Sequence, residues 1–97
     1  MDAVLRNRGK FELGVGITAE LVIWELPTPM RGSRHSFKYR LALIADGVCV
    51  LRYDNEAGKG DHRHLGNREF PYDFLDPDQL EVDFWEDVQR WLVTPRN

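Results

Sequence analysis

Twelve consecutive residues, Tyr53-Asp54-Asn55-Glu56-Ala57-Gly58-Lys59-Gly60-Asp61-His62-Arg63-His64, hold two of the chain's three histidines, three acids, Lys59, Arg63 and two glycines. Side chains two apart in extended backbone point the same way, so His62 and His64 can converge on one ligand. Histidine is the side chain that titrates near neutral pH, which suits it to proton transfer. Lys59 and Arg63 can neutralise a phosphate, while Gly58 and Gly60 let backbone N–H groups approach it as a small anion nest. Asp54 and Asp61 can orient an imidazole or act as a base. These ingredients fit phosphodiester chemistry with no cofactor.

The concrete reaction is RNA cleavage by attack of a 2′-hydroxyl on the adjacent phosphorus. One histidine or a carboxylate takes the hydroxyl proton and the other histidine protonates the leaving oxygen. Lys59, with Arg63 or Arg52, stabilises the phosphorane. Asp54, Lys59, Asp61, His62, Arg63 and His64 form the candidate catalytic set, with acid and base not assigned among them. Tyr39, Tyr53 and Tyr72 are candidates for base stacking and equally for packing within a sheet. A competing chemistry is a zinc-type site built from His62 and His64 with Asp61 or His35, although Lys59 and Arg63 disfavour a bound cation. The plain alternative is a surface loop whose charges pair with one another. His35, alone in a breaker-rich connection, reads as solvent-exposed.

The elements that must position this stretch are strands. Ile17 to Leu26 is rich in β-branched and aromatic residues and stops at Pro27, so it reads as a strand. Ala3 to Leu13 is a weaker strand, with Gly14-Val15-Gly16 as the turn between them. After the basic connection Pro27 to His35, apolar residues recur at Phe37, Tyr39, Leu41 and Leu43; Asp46-Gly47 and the run Val48 to Tyr53 follow. Asp-Gly between two apolar strands marks a two-residue type I′ hairpin. Pairing Ala45 with Val48 sets Tyr39 opposite Asp54, Arg40 opposite Tyr53 and Lys38 opposite Asn55, and a bulge would swap these faces. Lys38, Tyr39, Arg40, Arg52, Tyr53 and Asn55 are therefore the candidate substrate-binding residues.

The segment Leu65 to Phe74 can return as a short edge strand weakened by Pro71. Asp76 is a good N-cap, Pro77 suits the first helical position, Gln79 completes a capping box and Leu75 with Leu80 forms a hydrophobic staple. Leu80, Phe84, Val88, Trp91 and Leu92 line one helix face, Thr94-Pro95 ends it, and the acids Asp78, Glu81, Asp83, Glu86 and Asp87 are expected mostly in water. The expected fold is α+β: a twisted antiparallel sheet of four to five strands in two hairpins, covered by one C-terminal helix.

The chain's 97 residues suit one domain, 1–97, with 42% apolar and 30% charged residues typical of a soluble globular protein. No apolar run approaches a membrane span and the N-terminus lacks a signal-peptide layout, so a cytoplasmic location is expected. Cys49, within Val48 to Leu51, reads as a small buried hydrophobe. The net charge of −3 hides an asymmetry. Residues 31–68 carry eight Lys/Arg against four Asp/Glu, whereas residues 69–97 carry two against eight. A phosphate-bearing partner would meet the middle of the chain.

A family resemblance rests on Val22 to Pro27, His35 to Leu41, Tyr53 to Glu56 with Gly58 to His64, Arg68-Glu69 and Pro71-Tyr72. Together these resemble the TumE-type toxins of bacterial toxin–antitoxin systems, from about Leu21 to Trp91. Ala57, Phe70 and the Gly14-Val15-Gly16 turn depart from that pattern without touching its charged core. The resemblance implies a toxin neutralised by a DNA-binding antitoxin encoded beside it. RNA as substrate extends from the motif chemistry; the alternatives are a non-enzymatic module binding RNA, a ribosome or the antitoxin, and a metal-dependent nuclease. Homodimer formation is left open by the sequence.

Overall fold

The computed structural model describes residues 2–95. Six strands run in sequence order across one antiparallel sheet: β1 (Val4–Gly14), β2 (Ile17–Glu25), β3 (Phe37–Ala45), β4 (Val48–Glu56), β5 (Gly60–Leu65) and β6 (Arg68–Pro71). Helix α1 (Pro77–Val93) packs across β3 and β4. The α+β class and the covering C-terminal helix are as expected, but there are six strands where four to five were expected. The difference lies in the charged motif. Its second half is β5, not a loop, because Gly58 and Gly60, both at φ 80°, turn the chain back so that Leu51 to Glu56 pair with Leu65 to Gly60. Low strand propensity in Asp-His-Arg-His is overridden by pairing to a well-packed neighbour.

Strand alternation divides the sheet into two faces. Ala19, Leu21, Ile23, Tyr39, Leu41, Leu43, Leu51 and Tyr53 face the helix and form the core with Leu80, Phe84 and Val88. The opposite face carries no helix. Asp46 at φ 51° and Gly47 at φ 80° make the left-handed two-residue turn expected of Asp-Gly. Ala45 pairs with Val48 as expected, but an irregularity beyond Ile44 shifts the register by one residue. Arg40 therefore lies opposite Asp54, and Leu41 opposite Tyr53, which corrects the Tyr39–Asp54 and Arg40–Tyr53 pairs. A bulge restores the rule that charged partners share the open face while apolar ones share the core.

Asp76 caps α1 by accepting the Gln79 N–H at 2.7 Å. The Gln79 side chain runs forward to Asp83 at 2.8 Å, and Leu75 is 74% exposed, so neither the return half of the capping box nor the Leu75–Leu80 staple forms. The helix acids also divide. Asp87, expected in water, is buried, because it accepts Tyr53 Oη–H at 2.5 Å and Arg90 Nη1–H at 2.8 Å. Asp83 accepts Tyr72 Oη–H at 2.5 Å. These two bonds bolt the helix to the sheet. Cys49 is half-buried, with its thiol 3.5 Å from the Leu51 carbonyl oxygen.

Candidate functional site

The alternation that buries the core sends the motif's side chains to opposite sides of the sheet. Rows across the open face follow from the register: Val22, Arg40, Asp54 and His62 lie side by side, as do Glu20, Ala42, Arg52 and His64. Trp24 sits next to Lys38 one row further along. His62 and His64 share this face with ring centroids 6.4 Å apart. Of the candidate catalytic residues, the fold thus brings together Asp54, His62 and His64, and of the candidate binding residues Lys38, Arg40 and Arg52.

Contacts inside this group are polar and close. Arg52 Nη2 lies 3.2 Å from His64 Nε2, and an arginine N–H can bond only to an unprotonated ring nitrogen. In this arrangement His64 is the neutral tautomer with its proton on Nδ1. Asp54 Oδ1 is 3.6 Å from the same His64 nitrogen and Asp54 Oδ2 is 3.0 Å from Arg52 Nε. That last approach is ionic, since the buried Nε–H makes no directed hydrogen bond. His62 Nε2 lies 3.5 Å from Glu69 Oε1 on β6. Lys38 and Arg40 are exposed and, among the described residues, have no acidic partner. A cleft of about 490 Å³ opens here, lined by Val22, Trp24, Lys38, Arg40, Arg52 and Asp54 among others.

The remaining candidates lie elsewhere. Asp61 and Arg63 point to the helix side. Asp61 Oδ2 accepts Tyr39 Oη–H at 2.7 Å and His35 Nε2–H at 2.8 Å, while His35 Nδ1 accepts the Phe37 N–H at 3.1 Å. Both nitrogens of His35 are therefore engaged, and its ring stacks on Phe74 with centroids 3.9 Å apart. This corrects the exposed reading of His35: the residue pins the Pro27 to Ser36 connection onto the sheet. Arg63 reaches Asp87 at 3.5 Å beside Tyr53, and the Tyr53 hydroxyl foremost holds it further toward its charged form. Lys59 occupies the exposed hairpin turn, its N–H bonded to the Glu56 carbonyl at 3.1 Å.

Tyr39, Tyr53 and Asn55 are 2%, 1% and 2% exposed, so their side chains are packed within the sheet instead of facing a ligand. Asn55 takes the Tyr39 N–H at 3.0 Å and gives its amide hydrogen to the Phe37 carbonyl at 2.7 Å, extending the β3–β4 ladder where the strands part. Burial, aided by hydrogen bonds to Asp61, Asp87 and Asp83 respectively, raises the pKa values of Tyr39, Tyr53 and Tyr72 well above 10.0. Among the described residues no three His, Cys, Asp or Glu side chains converge to hold a metal ion. The zinc set with Asp61 or His35 is split by the sheet itself.

Two open-face residues escaped the sequence reading, Trp24 and Glu69. Trp24 reads from sequence as one more strand aromatic; only its parity relative to Ile23 marks it as facing away from the core.

The family model described as Toxin TumE matches residues 2–92. The chain belongs to the TumE toxin family. No curated protein and no solved structure is a match. The TumE match spans β1 through nearly all of α1, so the open-face residues and the helix bolts lie inside the family region. A toxin of this family implies an antitoxin as partner. Among the described residues no helix is long and apolar enough to cross a membrane.

Proposed function

We propose that this TumE-family toxin is a metal-independent ribonuclease acting in the cytoplasm, and that the reaction takes place on the open face of the sheet. The observation that carries this reading is the placement of His62 and His64 on one face, with Arg52 and Asp54 against His64 and the unpaired Lys38 and Arg40 beside them. Phosphoryl transfer needs positioned proton carriers and fixed positive charge, and this face supplies both.

In the proposed step Arg52 leaves His64 for the phosphate, and His64 Nε2 takes the proton of the 2′-hydroxyl. The 2′-oxygen forms its bond to phosphorus as the bond to the 5′-oxygen breaks. His62, with Glu69 as counter-charge when protonated, delivers a proton to that leaving oxygen. A 2′,3′-cyclic phosphate and a 5′-hydroxyl result. Asp54 orients His64, while Arg40, Arg52 and Lys38 hold the phosphates. Asp61 and Arg63 act in this scheme as positioning residues, through Tyr39 and Asp87.

The decisive test is purified protein against RNA in the presence of a chelator. Wild type is expected to yield cyclic-phosphate ends, with His62→Ala and His64→Ala each slowed about a hundredfold or more. Full toxicity in both variants, together with its loss in Lys38→Glu and Arg40→Glu, would instead make the face a binding surface without chemistry.

A further inference from the structure

Strand β1 is the outer edge of the sheet and eleven residues long, and its register with β2 is uninterrupted from Asn7 to Glu12, between two irregularities. One side of the sheet thus ends in a row of backbone N–H and C=O groups, a template for another strand. Large apolar side chains are exposed along it: Val4, Leu5, Phe11 and Leu13, with Val15 in the following turn. On the helix side Phe11 meets Trp85 edge-on at 5.5 Å, beside exposed Val82, and a groove of about 530 Å³ runs along Val82 and Trp85. Gly9 makes this possible, since a Cβ there would stand 2.6 Å from Phe11 Cε2. On the open side the same edge is basic, with Arg8 and Lys10.

We infer that β1 is the docking edge for the antitoxin, which adds an extended segment of acidic residues alternating with apolar ones. The acids meet Arg8 and Lys10, and the apolar residues meet Phe11, Trp85 and Val82. Charge selects this occupant over a second copy of the chain. Antiparallel self-pairing centred on Gly9 sets Arg8 against Lys10 of the other copy, and pairing centred on Arg8 or Lys10 sets a cation against itself. Like charges directly opposite in a sheet are destabilising.

The edge also adjoins the proposed site. Arg8 pairs with Val22, Val22 with Arg40 and Arg40 with Asp54, forming one row from edge to cleft. A depression of about 400 Å³ bordered by Arg8, Lys10, Val22 and Arg40 shares Val22 and Arg40 with the larger cleft. An acidic segment entering at the edge therefore reaches the cations of the open face without crossing the core.

The test uses the product of the antitoxin gene adjacent to this chain's own, co-expressed and purified as the complex. Hydrogen exchange is expected to slow on complex formation at β1 amides and not at β6, the opposite edge. The double variant Arg8→Glu, Lys10→Glu and the single variant Val82→Glu are expected to remain toxic yet bind the antitoxin at least tenfold more weakly and resist neutralisation. Unchanged exchange along β1, or protection confined to β6, would overturn the inference even if a variant lost toxicity. Neither readout requires cleavage of RNA, so the inference and the ribonuclease proposal fail separately.

Discussion

The carboxylate of Asp87 on α1 receives the hydroxyl of Tyr53 on β4 at 2.5 Å, joining helix and sheet through one buried bond. Arg63 and Arg90 approach the same carboxylate at 3.5 and 2.8 Å, so its charge is balanced where it is buried. A buried acid held in this way rigidifies the packing as long as every partner is present.

Asp87→Ala is accordingly expected to destabilise the fold by about 2–4 kcal/mol, since it strands the Tyr53 hydroxyl and removes the counter-charge of Arg63. Arg63 and Arg90 are partly exposed, and water recovers some of their loss. Urea midpoints of wild type and variant measure this. The double variant Tyr53→Phe, Asp87→Leu should be milder than Asp87→Ala, because it leaves no orphaned hydroxyl.

Alkaline pH is expected to weaken the fold steeply. Burial first, then bonding to Asp61, Asp87 and Asp83, raises the pKa values of Tyr39, Tyr53 and Tyr72 above their ordinary 10.0. Below that value both states keep the tyrosine protons and the stabilisation is complete. Above it the unfolded chain releases protons that the native state retains, so stability falls by about 1.4 kcal/mol per pH unit for each tyrosine. Denaturant midpoints on either side of pH ~10 should show this slope, and substituting all three tyrosines by phenylalanine should flatten it. Tyrosinate absorbance appearing in the still-folded protein near pH ~10 would contradict it.

Trp24 lines the open cleft opposite Lys38, with the Arg8 guanidinium 5.9 Å from its ring centroid. Base stacking on an aromatic ring is worth about 1–3 kcal/mol. If RNA lies in this cleft, Trp24→Ala should weaken binding of a 2′-O-methyl, uncleavable oligonucleotide about tenfold to a hundredfold, with Trp24→Phe restoring most of it. Tyr39→Phe, in contrast, should leave that affinity unchanged, because its hydroxyl faces Asp61 beneath the sheet. Fluorescence anisotropy at two salt concentrations separates the stacking loss from that of phosphate contacts such as Arg40, whose contribution alone fades with salt.

Local physics made much of this protein legible in its sequence. Asp46-Gly47 needs left-handed backbone at two successive residues, Asp76-Pro77 starts a helix, and the spacing of Leu80, Phe84 and Val88 fixes which side of it is buried. The pairing of His62 with His64 on one face also follows from period two alone. What the sequence could not decide was which face. The register irregularity after Leu43 reverses the partners of Arg40 and Asp54, and only sheet packing determines that Leu43 pairs with Leu51. The same alternation divides a motif that is continuous in sequence: Asp61 and Arg63 turn to the helix, where Tyr39, Tyr53 and Asp87 hold them, and His62 and His64 turn away. Side chains adjacent along a strand share a sequence neighbourhood but opposite environments, so the site's membership was fixed by the sheet and its helix.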